Sequence, residues 1–248
     1  MKKGIKKLLN TVGVQVSFTK NLKPIKIIDE DLLRRVKIIN TFQVDVLLDV
    51  GANNGNYATT MRNVGFSKKI ISFEPQKKAF DELQKISEGD NLWQVNHFAL
   101  GNEDGNSVIN IAGNSLSSSI LEMLPKHSDT APESIYVEKE NITIKKLDTI
   151  FNSIVSANDI VMLKIDTQGF EKNVLDGAEN ALKNISIIQL EMSIVPLYKN
   201  EILMLDMIKH LDEIGFQLFS IENGFSDPST GQLLQADGVF VNKNKVIF

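Results

Sequence analysis

The segment that most limits what this chain can fold into is a short apolar run that ends at a glycine. Residues 44–50 are almost continuously hydrophobic and are followed directly by Gly51. Such a run is typical of a strand buried on both faces of a parallel sheet. Beyond the turn, apolar side chains recur at helical spacing over 57–64, and Gly65 is a suitable helix stop. The sequence therefore predicts a strand, a glycine-rich turn and a helix.

The same alternation of strands and helices continues along most of the chain. Strands alternating with helices at this interval predict a doubly wound α/β sheet. The last two strands can pair as an antiparallel hairpin, because a loop rather than a crossover joins them. The further predicted strands are 69–73, 92–98, 160–165, 185–191, 216–221 and 238–241, and the further predicted helices are 29–42, 79–86, 170–182 and 204–214.

The alternation lapses between residues 101 and 158. This stretch contains polar turns and two β-like runs, 107–111 and 136–146, and no crossover helix is predicted before 147–154. An interruption at the strand ends is where a lid or a substrate-recognition element usually lies, although a surface excursion without function is the alternative. We expect an N-terminal helical segment over 1–43 and one Rossmann-like domain over 44–248 that carries this β-rich insertion.

Composition narrows the classes of function. The 248 residues include no cysteine, which excludes disulfides, thiol catalysis and iron–sulfur clusters. No pair of histidines has the spacing of zinc ligands, so zinc is not expected. The net charge of −4 argues against a broad nucleic-acid-binding face, because such faces are usually basic. We expect no nucleic-acid partner, and the sequence does not indicate an oligomeric state.

The N-terminus is basic and interrupted by polar residues. Four lysines and four aliphatic residues within 1–12 can form a short amphipathic helix that makes weak peripheral contact with a membrane surface, or a solvated helix packed on the domain. No apolar run approaches the ~20 residues that span a bilayer. The sequence therefore predicts a cytoplasmic protein without a transmembrane segment.

The turn after the first strand carries the sharpest chemical signal. Gly51 and Gly55 allow a tight turn and close approach of a ligand, and Asn53 tolerates a positive φ. The N-terminus of the next helix favours an anionic ligand group at the same place. Glu74 ends the second strand, where an acid can accept hydrogen bonds from both ribose hydroxyls of an adenosine ligand. Asp49 would repel a pyrophosphate but suits a sulfonium or ammonium group.

These residues together predict S-adenosyl-L-methionine as the cofactor. The loop reads G-x-x-x-G, whereas dinucleotide sites use G-x-G-x-x-G. A nucleotide-dependent oxidoreductase of the Rossmann type is the alternative from another enzyme class, and the missing third glycine and Asp49 count against it. A non-catalytic cofactor-binding protein of the same fold is the third possibility.

The sequence resembles the FkbM-type methyltransferases of the class I S-adenosylmethionine-dependent fold. The resemblance covers about 200 residues and implies a sheet order of 3-2-1-4-5-7-6, with strand seven antiparallel. It also implies methyl transfer to a hydroxyl of a sugar, a glycan or a secondary-metabolite intermediate. The matching blocks are LLDVGANNGNYA (47–58), ISFEPQKKAFDEL (71–83), HFALGNEDG (97–105), LDTI (147–150), LKIDTQGFEKNVLDGAE (163–179), QLEMSIVPLY (189–198) and GFSDPSTGQLLQADGVFV (224–241).

The resemblance also implies roles for individual residues. Asp166 is the counterpart of the acid that faces the transferable methyl group, and Gln168 stands where many relatives have an acid. Asp49 is implied to lie near the methionine portion. The remaining implied cofactor contacts are the loop residues Gly51, Ala52, Asn53 and Gly55, the ribose ligand Glu74 with Pro75 beside it, and Ala99 at the adenine with Asn96 or His97 nearby.

Methyl transfer to an alcohol needs a base, or a metal that lowers the pKa of the hydroxyl. Asp166 is the first candidate for this base, with helix capping as the alternative role. Glu191 can join Asp166 as an acid that orients the acceptor or as a ligand of a hard metal, with a structural role as the alternative, so a divalent metal is possible without being required. His127 is a candidate base if the insertion folds over the site. Glu171 and Asp237 are weaker candidates, and Tyr198 and Phe225 can wall a pocket for a small-molecule or glycan acceptor.

Overall fold

The structure is a computed structural model that describes residues 29–245. The predicted amphipathic helix within 1–12 lies outside this part of the chain. Asp29 caps the first helix, α1 (Glu30–Thr41), by accepting the backbone N–H of Leu32 at 3.0 Å. Within residues 29–245, no helix is long and apolar enough to cross a membrane.

Seven strands form one sheet, in the order β3-β2-β1-β7-β8-β10-β9. β10 runs antiparallel to both of its neighbours, and the other pairs are parallel. This order confirms the predicted seven-stranded Rossmann-like sheet with an antiparallel last strand. The strands are β1 (Val46–Val50), β2 (Lys69–Phe73), β3 (Trp93–Asn96), β7 (Val161–Ile165), β8 (Ile185–Ser193), β9 (Phe216–Asn223) and β10 (Gln235–Asn242).

Helices cover both faces of this sheet because its strands alternate their side chains between two apolar clusters. Leu47 of β1 packs in the cluster that includes α1–α3, whereas Leu48 packs in the cluster that includes α5–α7. The two central strands β1 and β7 are buried along their whole length, as their near-continuous apolar runs predict. The further helices are α2 (Asn56–Asn63), α3 (Lys77–Ser87), α4 (Pro125–Thr130), α5 (Leu147–Ile154), α6 (Glu171–Asp176) and α7 (Met204–Glu213).

The insertion folds as a second sheet of three strands in the order β4-β6-β5. Its strands are β4 (Ala99–Leu100), β5 (Gly105–Ala112) and β6 (Tyr136–Lys145), and α4 lies between the last two. β5 and β6 pair antiparallel over most of their length. The third strand of the main sheet was predicted over 92–98, but β3 ends at Asn96. The chain then leaves the main sheet, and β4 pairs with β6.

The predicted helix over 170–182 was too long. α6 ends at Asp176, and a separate 3-10 turn covers Ala181–Asn184. The interruption has two physical causes. A Cβ on Gly177 would lie 1.8 Å from the backbone oxygen of Gly101, so this glycine lets two backbones touch. The carboxylate of Asp148 then accepts the backbone N–H groups of Asn180 and Ala181 and redirects the chain.

An ion pair between Arg35 and Glu222 joins α1 to the edge strand β9. The Arg35 side chain is 14% exposed and that of Glu222 only 2%, so this pair is largely removed from water. The guanidinium also lies over the ring of Tyr57, 5.1 Å from its centroid. Such a pair is costly to break because the partner that remains is a buried, uncompensated charge.

We predict that Arg35→Met lowers the free energy of unfolding by about 3 kcal/mol, because Glu222 is then left without its cation. The matched control is Arg34→Met on the same helix, since the Arg34 side chain is 44% exposed where it pairs with Asp31. That change should cost less than about 1 kcal/mol. Urea unfolding of both variants measures the difference. Equal losses would show that the Arg35 pair has no special role in docking α1.

Candidate active site

A cleft opens at the carboxyl ends of β1, β2 and β7. In open α/β sheets this edge is where ligands bind. The turn after β1 forms its floor, and the insertion contributes its roof. The lining residues are Val50, Gly51, Asn53, Phe73, Glu74, Pro75, Gln76, Ala99, Leu100, Ile109, Leu116, Ser118, Ile120, Asp166, Thr167, Gln168 and Phe170.

The turn after β1 has the backbone that its glycines predict. Gly51 adopts a φ of 72°, and a Cβ there would lie 1.8 Å from the backbone oxygen of Asp166. Asn53 adopts a positive φ of 46°, as expected from its residue type. Gly55 is the N-cap of α2, and Ala52 is buried beneath the turn; neither lines the cleft. The backbones of β1 and β7 can approach each other closely at this point because residue 51 has no side chain.

Glu74 lies at the far end of the cleft and is 2% exposed. One carboxylate oxygen accepts the backbone N–H of Asn53 and the other that of Gln76, each at 2.7 Å. Burial raises the pKa of Glu74 to about 7, and the two backbone hydrogen bonds oppose this shift only in part. The carboxyl is therefore held rigidly, with one further acceptor position on each oxygen.

Asp49 does not line the cleft. It is fully buried below the turn, where its Oδ1 lies 3.1 Å from Nζ of Lys164 and its Oδ2 accepts from Ser72 Oγ at 3.2 Å. Lys164 also donates to the backbone oxygen of Gly51 at 3.2 Å. The prediction that Asp49 lies near the methionine portion of a cofactor stays a prediction. What the structure adds is a buried ion pair directly beneath the turn.

Lys164 was missed by the sequence reasoning, although a signal existed. It interrupts the apolar run of β7, and a charge in a central strand needs a partner. Burial alone would lower the pKa of Lys164, but Asp49 and Asp166 outweigh that effect and raise it.

The insertion covers the cleft through the loop that follows β5. Leu116, Ser118 and Ile120 line the cavity from above. Several hydrogen bonds connect this loop to the floor, among them those from Asn53 Nδ2 to the backbone oxygen of Ser115 at 3.3 Å and from Ser118 Oγ to Gln76 Oε1 at 3.1 Å. The expectation that the insertion lies at the strand ends is met. Gln76 was not singled out from the sequence, because its partners are distant along the chain.

Of the three residues expected near the adenine, only Ala99 lines the cleft; Pro75, expected beside Glu74, also lines it. Asn96 does not line it, and its Nδ2 donates to the backbone oxygen of Ser72 at 3.3 Å. His97 is exposed and stacks on Phe80, with 4.5 Å between ring centroids. Asn96 and His97 therefore support the edge of the sheet rather than the cavity wall.

Asp166 follows β7 and forms the end of the cleft opposite Glu74. Its side chain is 41% exposed. Oδ1 accepts from Gln168 Nε2 at 3.0 Å, and Oδ2 lies 3.7 Å from Nζ of Lys164. Glu191 is joined to it through the same amide, since Gln168 Nε2 donates to Glu191 Oε2 at 2.8 Å. The structure thus brings together the two carboxylates that the sequence proposed.

Further acids surround this pair. Asp237 lies directly opposite Glu191 in the register of β10 and β8. Burial, followed by the charges of Asp166 and Asp237, raises the pKa of Glu191 well above its usual value. Burial and the charge of Asp166 likewise raise the pKa of Asp237 to about 6. Within residues 29–245, no group of three or more acidic or histidine side chains has the geometry to hold a metal ion.

His127 is not brought to the cleft. It is 3% exposed and packs against Tyr198 and Phe225, with ring centroids at 5.1 and 5.4 Å. Burial lowers the pKa of His127. The hydroxyl of Tyr198 in turn donates to Gln168 Oε1 at 2.7 Å, so His127 is separated from the cleft by Tyr198 and Gln168. A direct role of His127 as a base has no support from this placement.

Glu171 has a structural position rather than a place in the cleft. Its Oε1 accepts the backbone N–H groups of Thr167 and Gly169 at 2.8 and 3.2 Å, which fixes the loop that carries Gln168. Burial raises the pKa of Glu171 to about 7.

The sheet order and the cleft at the strand ends are those of the class I methyltransferase fold. The sequence profile described as the methyltransferase FkbM domain matches residues 49–218. The match covers more than half of the chain, and the chain belongs to the FkbM methyltransferase family.

Three solved structures are similar to this chain at low sequence identity. An uncharacterized protein from Listeria monocytogenes serotype 4b has a TM-score of 0.50 at 11% identity, over 89% of this chain and 70% of that one. A proposed RNA methyltransferase from Pyrococcus horikoshii has a TM-score of 0.45 at 15% identity, over 98% and 99%. A proposed tRNA (m1A22) methyltransferase from Streptococcus pneumoniae, solved with S-adenosyl-L-methionine, has a TM-score of 0.45 at 14% identity, over 84% and 72%. No curated protein sequence matches the chain.

We predict that Glu171→Gln gains stability relative to the wild type as the pH rises from about 4.5 to 7. A carboxyl whose folded pKa is raised keeps its proton in the folded state while the unfolded chain releases it, so ionisation destabilises the fold across this window. Glutamine retains the acceptor oxygen and cannot ionise. Urea unfolding at several pH values measures the difference, with the exposed Glu179→Gln as control. A difference that does not change with pH would contradict the prediction.

Proposed function

We propose that this chain is an S-adenosyl-L-methionine-dependent O-methyltransferase that acts on a hydroxyl of a sugar, a glycan or a secondary metabolite. The observation that carries the proposal is the cleft with Glu74 at one end and the half-exposed carboxylate of Asp166 at the other. The first suits the ribose of an adenosine cofactor, and the second suits a hydroxyl that must lose a proton.

The residues around the cleft fit this cofactor. Glu74 offers free acceptor positions to the two ribose hydroxyls, because backbone N–H groups occupy only one position on each of its oxygens. Gly51 leaves its backbone open to the ligand, and Ala99 and Pro75 supply an apolar wall for the adenine. The nearby acids, with Asp166 at the end of the cleft, favour a cofactor that carries a sulfonium and an ammonium group. The cofactor supplies an electrophilic methyl group on sulfur.

The chain supplies alignment and exclusion of water. Displacement at a methyl carbon needs the acceptor oxygen in line with the sulfur, so a fixed floor and a covered roof are required. The turn at Gly51 fixes the floor, and Leu116 and Ile120 cover the cleft with apolar side chains. Asp166 accepts the proton of the acceptor hydroxyl as the oxygen attacks. Glu191, on the neighbouring strand, does not line the cleft, and it orients the acceptor indirectly, through Gln168 and Asp166.

The acids near Asp166 support an uncharged acceptor. Asp166, Glu191 and Asp237 lie within one region. Lys164 lies 3.7 Å from Asp166, but it is shared with the buried Asp49 at 3.1 Å, so the acids of this region outnumber the cation that faces them. An acceptor that carried phosphate groups close to the reacting hydroxyl would be repelled there. The hydroxyls of a polyol can instead donate hydrogen bonds to the carboxylates, and they can both donate to and accept from the amides. A small-molecule or glycan acceptor therefore fits better than a nucleic acid.

We predict that S-adenosyl-L-methionine and its demethylated product stabilise the protein, whereas NAD does not. At a concentration of about 100 times the dissociation constant, each of the first two should raise the melting temperature by about 5–10 °C. Glu74→Ala should weaken both shifts, because the ribose contact is lost. Differential scanning fluorimetry measures the shifts, with the exposed Glu88→Ala as control. Stabilisation by NAD alone would favour the oxidoreductase alternative.

We predict that Asp166→Asn retains cofactor binding and loses at least about 100-fold in turnover, since asparagine cannot accept the proton. The assay follows transfer of a labelled methyl group to a panel of sugars, glycosides and hydroxylated metabolites, with RNA as a further arm. The matched control is Asp206→Asn on the exposed side of α7. Unchanged turnover in Asp166→Asn would remove this residue from the reaction, and methylation of RNA alone would overturn the proposed acceptor class.

A further inference from the structure

The side-chain amide of Gln168 lies between two carboxylates that belong to different strands. Its Nε2 donates to Asp166 Oδ1 at 3.0 Å and to Glu191 Oε2 at 2.8 Å. An amide nitrogen has two N–H donors, so each carboxylate receives one of them. Glu191 Oε2 also accepts from Gln235 Nε2 at 2.7 Å. Two acids that would otherwise repel each other are therefore joined through a neutral group.

The orientation of this amide is fixed from the other side. The hydroxyl of Tyr198, which is 1% exposed, donates to Gln168 Oε1 at 2.7 Å. Ser119 Oγ, in the insertion, donates to the backbone oxygen of Gln168 at 2.7 Å. Gln168 adopts a positive φ of 56°, which its surrounding contacts must maintain. A flipped amide would direct its oxygen at both carboxylates, so only the observed orientation satisfies all three neighbours.

Two carboxylates on adjacent strand ends are a common way of holding a hard divalent cation, which needs oxygen ligands and compensating negative charge. Here the position between the two carboxylate oxygens is filled by the Nε2 group. The amide links the acids geometrically but supplies no net positive charge. This leaves their mutual repulsion in place: burial, followed by the charge of Asp166, raises the pKa of Glu191.

We infer that Gln168 is a positioning residue whose amide takes the place of a bridging divalent cation between Asp166 and Glu191. The inference deepens the proposed function and rests on the role assigned there to Asp166. Gln168 keeps the Asp166 carboxylate directed at the cleft, and the insertion contributes through Ser119 to the placement of the amide. Activation of the acceptor hydroxyl then depends on the carboxylate itself and requires no metal.

Substitution of Gln168 should change what can bind between Asp166 and Glu191. In Gln168→Glu a third carboxylate would stand between Asp166 and Glu191, and three converging acids form a site for Mn²⁺. In Gln168→Ala the position would be open, with two carboxylates facing it. The matched control is Gln217→Glu on β9, where the same change of charge occurs on an exposed residue.

The experiment measures melting temperature and Mn²⁺ binding by electron paramagnetic resonance, with the full chain and without cofactor or acceptor. We expect Mn²⁺ at about 100 times its dissociation constant to raise the melting temperature of Gln168→Glu by about 5–10 °C. The wild type and Gln217→Glu should show no saturable shift. Adding Asp166→Asn to Gln168→Glu should abolish the gain, because one of the three ligands is lost.

One result that would overturn the inference is saturable binding of Mn²⁺ by the wild-type protein, if Asp166→Asn abolishes that binding. The amide would then not occupy the place of the cation. A folded Gln168→Glu variant that gains no Mn²⁺ binding would also overturn it. If Gln168→Glu does not fold, Gln168→Ala decides: saturable Mn²⁺ binding by this variant supports the inference, and the absence of saturable binding contradicts it. None of these readouts involves methyl transfer, so failure here is distinguishable from failure of the proposed function.

Discussion

The arrangement of the site depends on the contacts of one buried group, the ammonium of Lys164. It lies 3.1 Å from Asp49, 3.7 Å from Asp166 and 3.2 Å from the backbone oxygen of Gly51. One side chain of β7 therefore connects the strand before the turn, the turn itself and the acid at the end of the cleft. A buried lysine without these partners would be strongly destabilising, so the three groups must stay together.

The contacts of Lys164 explain why the floor of the cleft and the proposed base, Asp166, are held at fixed positions relative to each other. Gly51 has to be a glycine because its backbone meets that of Asp166, and Lys164 holds the same two segments together from below. The roof is attached separately, through the hydrogen bonds from Asn53 to Ser115 and from Ser118 to Gln76. The site thus has a rigid floor formed by the sheet and a roof that belongs to the insertion.

The sequence predicted the elements well where local patterns determine them. The apolar run of β1, the turn at Gly51 and the helix α5 (Leu147–Ile154) follow from periodicity and residue type. The strand order was predicted through the resemblance to the FkbM-type methyltransferases, and it is confirmed. Periodicity failed at α6, because the backbone contact of Gly177 with Gly101 depends on residues far apart in the chain.

The candidate site could be predicted only in part for the same reason. Glu74 and Asp166 end strands, and the carboxyl ends of neighbouring parallel strands meet at one edge, so both were found. The pairing of Lys164 with Asp49 and the position of Gln168 between Asp166 and Glu191 join segments that the sequence separates widely. His127 was proposed because the insertion was expected near the site. Its burial against Tyr198 shows that proximity of a segment does not determine where each side chain lies.

We propose that the cleft between Glu74 and Asp166 binds the cofactor, and a crystal structure of the full chain with S-adenosylhomocysteine is the decisive measurement. We expect density for the ligand in this cleft, beneath Leu116, with both ribose hydroxyls on the carboxylate of Glu74 and the sulfur toward Asp166. Density for the ligand elsewhere on the molecule, or with the ribose away from Glu74, would refute this placement.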